Sequence, residues 1–212
     1  MSKGNAESKS SSSHRGGSAL QVLSLKTLVM KRLSFLLLLI AAPLARSQPR
    51  EVIIIRHAEE PGGNAIHLSA RGQRRAEALV GFFQTNSIVT QYGVPVALFA
   101  ARPTPNGSRR SEETLIPTSR ALGEPIRQPF TQGEYSALVR RILGNPAFKG
   151  KTVVIAWTHT YIPRLAVAFG VSPSPPPWNS SVYDRAFVLT SSRRGVMLRS
   201  IPQHLLPGDS KR

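Results

Sequence analysis

The stretch Val52-Ile53-Ile54-Ile55-Arg56-His57-Ala58-Glu59 decides the fold class of this chain. Its four consecutive branched apolar residues are typical of a strand buried on both faces, as the central strands of parallel sheets are. The strand ends in Arg56 and His57. Because ligands of open α/β sheets bind at the carboxyl ends of strands, this placement predicts an anion site with His57 as a candidate nucleophile.

A second unit repeats the arrangement. Residues 152–157 (TVVIAW) form another apolar, β-rich run, and Thr158-His159-Thr160 follows directly at its end. The apolar residues after it lie at helical spacing, so the unit reads as strand, histidine, helix. One histidine after a strand is usually a hydrogen-bonded loop residue, but two such histidines, one preceded by an arginine, favour a shared site.

The remaining periodicity alternates helices with strands. Helices are expected over residues 71–83, 110–122 and 135–143, and strands over 94–100, 181–190 and 195–201. Pro117 should lie near the first turns of its helix or kink it. The alternation predicts an α/β fold in which helices cover both sides of one sheet.

The amino-terminal part has a different composition. Residues 1–29 begin with a serine- and glycine-rich segment that cannot bury a core, and we expect a disordered extension upstream of the natural start at Met30. Residues 30–48 combine a basic pair, an apolar run and small residues, the pattern of a secretory signal peptide. The run is too short for the ~20 residues that span a bilayer, although an uncleaved anchor stays open as the alternative. The sequence thus predicts a secreted or periplasmic protein without stable membrane insertion, with a domain over 49–205 and a tail over 206–212.

Composition limits the possible chemistry and partners. The chain of 212 residues has no cysteine, which excludes disulfides and thiolate catalysis. The formal charge is +17 overall, and residues 48–212 retain 21 basic and 10 acidic residues. This excess favours anionic ligands, such as phosphorylated small molecules or anionic cell-surface polymers. The sequence contains no motif typical of nucleic-acid recognition, so nucleic acid is not expected as a partner.

An arginine–histidine pair is suited to phosphate esters. A neutral imidazole nitrogen can attack phosphorus and form a phosphohistidine. Arginine gives bidentate, charge-assisted contacts to the phosphoryl oxygens, and a carboxylic acid can protonate the leaving oxygen. The minimal set is therefore a nucleophilic histidine, two arginines, a second histidine and one carboxyl group.

Four segments, in order, resemble the histidine phosphatase superfamily, in its phosphoglycerate mutase-like branch. They are residues 52–58, which resemble the signature strand with Arg-His-Gly, 68–76, 98–101 with 110–114, and 155–159. Ala58 replaces the glycine of the signature. The resemblance covers about residues 51–200 and implies a three-layer α/β/α sandwich with a mostly parallel central sheet.

The resemblance also implies roles for individual residues. His57 would be the nucleophile, and Arg56, Arg110 and His159 would line the phosphate pocket. Arg109 competes with Arg110, although the spacing to Thr114 favours Arg110. His67 and His204 match no motif and are expected at the surface.

The proton donor is the open part of the site. By its distance from Arg110, Glu134 is the candidate in the mutase-like branch, while a helix-terminal glutamate would serve the helix dipole equally well. Asp184 and Glu59 are the other candidates. The acid-phosphatase-like branch has an aspartate directly after the second histidine, where this chain has Thr160.

The predicted function is metal-independent hydrolysis of a phosphomonoester through a phosphohistidine on His57, with no cofactor. The alternative is a catalytically weak or inactive phosphate-binding protein of the same fold. The substrate's identity and the oligomeric state cannot be predicted from these residues.

Overall fold

The apolar run 52–55 forms a strand inside a mixed sheet. The computed structural model describes residues 48–63 and 65–210, and within them six strands form one sheet in the order β3-β2-β4-β1-β5-β6. The elements are β1 (Glu51–Arg56), α1 (Ala70–Thr85), β2 (Ala97–Ala100), α2 (Arg110–Leu122), β3 (Ile126–Arg127), α3 (Tyr135–Leu143), β4 (Thr152–Trp157), α4 (Ile162–Ala168), β5 (Arg185–Ser192) and β6 (Gly195–Pro202), with 3-10 turns at Gln132–Glu134, Pro146–Phe148 and His159–Tyr161.

The first four strands of this order are parallel. β1 pairs with β4, β4 with β2 and β2 with β3, all in parallel. β5 then pairs antiparallel with β1, and β6 pairs antiparallel with β5. The sheet is therefore mostly parallel, with an antiparallel hairpin at one edge.

The two faces of the sheet are covered by different helices. Ile53 and Ile55 belong to a core cluster with Leu79 of α1 and Leu115 of α2. Their neighbours Val52 and Ile54 belong to a second cluster with residues of α3 and α4, among them Leu138, Ile142 and Leu165. Because side chains alternate across a strand, this division places helices on both faces. The predicted three-layer α/β/α fold is confirmed.

Several details differ from the expected elements, among them the strand expected over 94–100, which spans only Ala97–Ala100. The strand expected over 181–190 begins only at Arg185, because the preceding loop is held by its own bonds, such as the one from Trp178 Nε1 to the carbonyl of Val182 (2.9 Å). Pro117 lies in the middle of α2 and not in its first turns. The two-residue strand β3 is too short to give a periodic signal.

The loop after β1 is held against the start of α1. Ser69 caps α1 by accepting from the Gly72 N–H (3.1 Å), and its own N–H donates to the carbonyl of Glu59 (2.9 Å). A Cβ at Gly72 would lie 2.3 Å from that same carbonyl oxygen, so only glycine permits this approach. This packing fixes the backbone that follows His57.

A buried ion cluster joins the loop, α1 and the carboxyl-terminal segment. Arg75 is 2% exposed, and its guanidinium binds Glu59 (2.8 Å) and Asp209 (2.6 Å). Arg71 binds the same two carboxylates, and Gln203 accepts a further hydrogen bond from Arg75 (3.1 Å). Residues 206–210, expected as part of a tail, are thus bonded to the domain through Asp209.

Candidate active site

Both sequence-predicted histidines lie at one edge of the sheet. β1 and β4 are neighbouring parallel strands in which Arg56 lies opposite Trp157. The N–H of His57 continues this ladder by donating to the Trp157 carbonyl (3.0 Å), so His57 and Thr158-His159 leave the sheet side by side. This is the carboxyl edge of the parallel strands, where α/β proteins place their sites.

The imidazole of His57 is buried, and a hydrogen bond determines which of its nitrogens carries the proton. Its Nδ1 lies 2.8 Å from the carbonyl oxygen of Ala58, which can only accept, so Nδ1 carries the proton. Burial, together with the charges of Arg56 and Arg110, lowers the pKa of His57 from 6.5 to about 4. At neutral pH the ring is therefore neutral, with an unprotonated Nε2 that can act as a nucleophile.

Arg56 is a buried cation held by the loop before β5. It donates to the carbonyl of Ser180 and to the hydroxyl of Tyr183 (2.8 Å), and its guanidinium stacks on the Tyr183 ring at 3.7 Å from the centroid. It also binds Glu60 (3.2 Å). Stacking and hydrogen bonds fix the plane of the guanidinium, as bidentate recognition of an anion requires.

Arg110 is the first residue of α2, and its guanidinium binds the Glu60 carboxylate that Arg56 also binds. Its Nη1 lies 2.5 Å from Glu60 Oε2 and 2.5 Å from the carbonyl oxygen of Ala65. Thr114, one turn later, donates to the Arg110 carbonyl (2.7 Å) and accepts from the Ala58 N–H (2.8 Å). Thr114 therefore ties the first turn of α2 to the loop that carries the nucleophile, which accounts for the Arg110–Thr114 spacing.

Arg109 has a different environment. Its side chain is 54% exposed, and its Nη1 lies 4.0 Å from Oε2 of Glu112 in the first turn of α2. Only Arg110 of the two adjacent arginines shares a carboxylate with Arg56. The structure thus brings the residue favoured by the sequence spacing to the site.

Glu60 and Tyr183 are site residues that the sequence reasoning missed. Glu60 bridges both arginines, since Oε1 binds Arg56 and accepts from the Tyr183 hydroxyl (3.1 Å), while Oε2 binds Arg110. Burial opposes the ionisation of Glu60, but the charge of Arg110 and its other partners outweigh burial and lower its pKa. The sequence feature that could have indicated Glu60 is its position three residues after His57. Tyr183 carried no motif.

His159 lies near this cluster. Burial and the charge of Arg56 lower its pKa, while the charge of Glu60 raises it, so the ring is neutral at neutral pH. Its Nδ1 is buried and has no hydrogen-bond partner among the residues that the structure describes. A neutral imidazole with an unused nitrogen is suited to bind a ligand oxygen.

Glu134 lies on a turn that packs against β4. It forms a capping box with Thr131 and lies 3.8 Å from Arg102, with half of its side chain exposed. The same turn accepts hydrogen bonds from Trp157 Nε1 (3.0 Å) and from the Thr158 hydroxyl (2.7 Å), both through Gln132. Glu134 is therefore near the edge that carries His159, although hydrogen bonds from Thr131 lower its pKa. Its role as proton donor stays a prediction.

The two other carboxyl candidates have different partners. Glu59 is bound by Arg71 and Arg75; burial opposes its ionisation, but the bonds from Arg75 outweigh burial and lower its pKa. Asp184 accepts from the hydroxyl of Ser210 (2.7 Å), and its pKa is also lowered because the Ser210 bonds outweigh burial. Both carboxylates are held ionised by structural contacts.

Of the histidines that the structure describes, the two outside the site lie at the surface, as predicted. The side chain of His67 is 61% exposed and contacts Glu113 (2.5 Å), and His204 is exposed. Within residues 48–63 and 65–210, no group of three or more His, Asp or Glu side chains could hold a metal ion. No helix in the same ranges is long and apolar enough to cross a membrane.

Comparison with known proteins gives matches among solved structures. An alpha-ribazole phosphatase from Shigella flexneri is 13% identical with a TM-score of 0.48, covering 72% of this chain and 96% of that one. A mycobacterial glucosyl-3-phosphoglycerate phosphatase in complex with VO3 is 14% identical with a TM-score of 0.49, covering 74% of this chain and 100% of that one. No protein-family model and no curated protein matches the chain. The chemistry of the site therefore rests on its own geometry.

Proposed function

We propose that this protein is a histidine phosphatase that hydrolyses a small phosphomonoester through a phosphohistidine on His57. The observation that carries the proposal is the state of His57: a buried, neutral ring with Nδ1 bonded to the Ala58 carbonyl and two arginines nearby. This arrangement directs the Nε2 lone pair, and not a proton, toward an incoming electrophile.

In the first step, Nε2 of His57 attacks phosphorus and the bond from phosphorus to the ester oxygen breaks. The departing oxygen takes a proton from a carboxyl group, for which Glu134 is the proposed donor. Arg56 and Arg110 stabilise the negative charge on the transferring phosphoryl oxygens, and His159 supplies a further hydrogen bond. The developing charge on His57 is stabilised by the Ala58 carbonyl, which accepts from Nδ1.

In the second step, water attacks the phosphohistidine. The phosphorus–nitrogen bond breaks, inorganic phosphate leaves, and His57 returns to its neutral form. The carboxylate left by the first step takes the proton of the attacking water. No metal or cofactor is needed to balance these steps.

Turnover with a chelator present is the test of this proposal. We expect the folded domain to hydrolyse a chromogenic phosphomonoester, and the rate to stay within about twofold when EDTA is added, because Arg56 and Arg110 supply the charge that a metal would otherwise supply. Initial rates with and without the chelator provide the measurement. No hydrolysis of any phosphomonoester in a broad panel would refute the proposal, and the same panel would define the substrate.

A phosphate-binding protein without effective catalysis is the second candidate. It is favoured by one observation, namely that Glu134, Glu59 and Asp184 all bind other groups and all have lowered pKa values. Such a protein would bind inorganic phosphate while failing to turn over esters, including those with good leaving groups. The turnover experiment, combined with phosphate titration, separates the two candidates.

Export is a further part of the proposal. It is supported by the composition of residues 30–48, which lie outside the described residues except for Gln48. Amino-terminal sequencing of the protein from its native host is the test. A mature end near residue 48 is expected, and an end far upstream of Ala42 would refute the signal peptide.

A further inference from the structure

Glu60 occupies the place where the proposed function requires an anion. One carboxylate oxygen binds Arg56 (3.2 Å) and the other binds Arg110 (2.5 Å). A carboxylate that bridges two guanidinium groups uses the same donors that two phosphoryl oxygens would use. Among the described residues, the carboxylate that bridges Arg56 and Arg110 is that of Glu60.

The groups around Glu60 come from four parts of the chain. Arg56 and His57 are at the end of β1, Arg110 is on α2, Tyr183 precedes β5, and His159 follows β4. Both arginines hold the carboxylate ionised, and the Tyr183 hydroxyl donates to it. A phosphoryl dianion cannot share this cluster with an ionised Glu60 at contact distance, because like charges at such separations repel strongly where the surroundings are poor in water.

Glu60 is able to leave its place. Its side chain is 26% exposed, so the carboxylate borders solvent while Arg56, with 1% of its side chain exposed, does not. Arg56 is fixed by its stack on Tyr183 and its bond to the Ser180 carbonyl. Arg110 also donates to the carbonyl of Ala65, so displacement of Glu60 leaves each arginine with another partner.

We propose that Glu60 is an internal competitor of the substrate's phosphoryl group for Arg56 and Arg110. The inference rests on the proposed function and identifies a residue that sets the site's affinity and specificity for anions. Glu60 preorganises the two arginines in the empty site and is exchanged for the phosphoryl group on binding. Anions that offer only one oxygen cannot replace both contacts, so the exchange favours phosphoryl groups over simple monovalent anions.

The competition has a quantitative consequence. When a site is open only part of the time, the apparent dissociation constant equals the intrinsic one divided by the open fraction. If Glu60 occupies the arginines about nine-tenths of the time, its removal should tighten phosphate binding about tenfold. Neutralising it as Glu60→Gln keeps the shape of the side chain and removes the charge.

The experiment measures phosphate affinity and turnover on the same preparations. Inorganic phosphate is titrated calorimetrically into the wild type, Glu60→Gln and the control Glu112→Gln, which removes a carboxylate that pairs with Arg109. We expect the dissociation constant to fall about tenfold in Glu60→Gln, to stay within about twofold in Glu112→Gln, and KM for a phosphomonoester to fall in parallel. Glu60→Ala, which leaves no group to bind the arginines, should behave like Glu60→Gln and serves if that variant fails to fold.

Unchanged or weaker phosphate binding in Glu60→Gln, in a preparation that still turns over substrate, would overturn the competitor role and leave the phosphatase intact. Tighter binding without turnover in any variant would support the competitor role and refute the phosphatase. Absence of both binding and turnover in all variants would overturn both.

Discussion

Replacing His57 by alanine is expected to lower kcat/KM for a phosphomonoester by at least about a thousandfold. The Nε2 of His57, left unprotonated because Nδ1 binds the Ala58 carbonyl, is the atom that forms the covalent bond in the proposed first step. Steady-state rates of the variant, normalised to folded protein, give the measurement.

A matched control is available in the same region of the chain. His67 is exposed, and its ring contacts Glu113 and neither Arg56 nor Arg110. His67→Ala should keep kcat/KM within about twofold of the wild type, since surface substitutions have small effects. A His57→Ala variant with rates near those of the wild type would remove His57 as the nucleophile.

Replacing Arg75 by methionine is expected to cost about 3 kcal/mol of stability or more. The substitution keeps an unbranched apolar stem but removes the guanidinium, and it leaves the buried carboxylates of Glu59 and Asp209 with Arg71 as their remaining cation. Removing one partner of a buried ion cluster lowers the free energy of unfolding, because the remaining charges stay buried without full compensation. Urea unfolding followed by circular dichroism gives the free energy of unfolding.

The neighbouring residue provides the control for this variant. Arg74 is exposed on the same helix, so Arg74→Met should change the free energy of unfolding by no more than about 0.5 kcal/mol. Equal stabilities of Arg75→Met and the wild type would mean that the cluster is not what holds residues 206–210 to the domain.

The cluster also predicts how stability depends on pH. Burial opposes the ionisation of Asp209, but hydrogen bonds from Arg75 and the backbone outweigh it and lower its pKa from 3.8 to about 2. The stability that Asp209 contributes is present above the unfolded value and is lost as the pH falls through this range. Arg75→Met should show a weaker dependence on pH there.

The parts of the site that the sequence predicted are those fixed by local structure. Arg56 and His57 follow directly from a buried strand, and parallel pairing of β1 with β4 brings His159 to the same edge. Arg110 was favoured over Arg109 by its spacing to Thr114, and that spacing corresponds to one helical turn closed by the Thr114 hydroxyl.

The parts that the sequence left open depend on distant contacts. Glu59 and Glu60 are adjacent, and only the fold shows that the first binds Arg75 while the second binds Arg56 and Arg110. Tyr183 reaches Arg56 from a loop more than a hundred residues away, and the hydrophobic pattern of that loop resembled a strand. No periodicity or spacing carries such information.

The structure also bears on the choice of proton donor. All three carboxyl candidates bind other groups and have lowered pKa values, but Glu59 and Asp184 are buried, whereas Glu134 lies half exposed on a turn bonded to Trp157 and Thr158. Glu134→Gln should slow hydrolysis of esters with poor leaving groups more than that of esters with good ones, because only the former need the proton. Equal slowing of both kinds would point to another donor.

The most direct test of the account is to find the phosphate on the enzyme. The protein is mixed with a radiolabelled phosphomonoester, quenched in alkaline denaturant during turnover, digested and mapped by mass spectrometry. We predict a phosphorylated peptide carrying the label on His57, and no label on the His57→Ala variant. Turnover accompanied by label on a different residue, or by no covalent label at any time during the reaction, would contradict a phosphohistidine mechanism at this site.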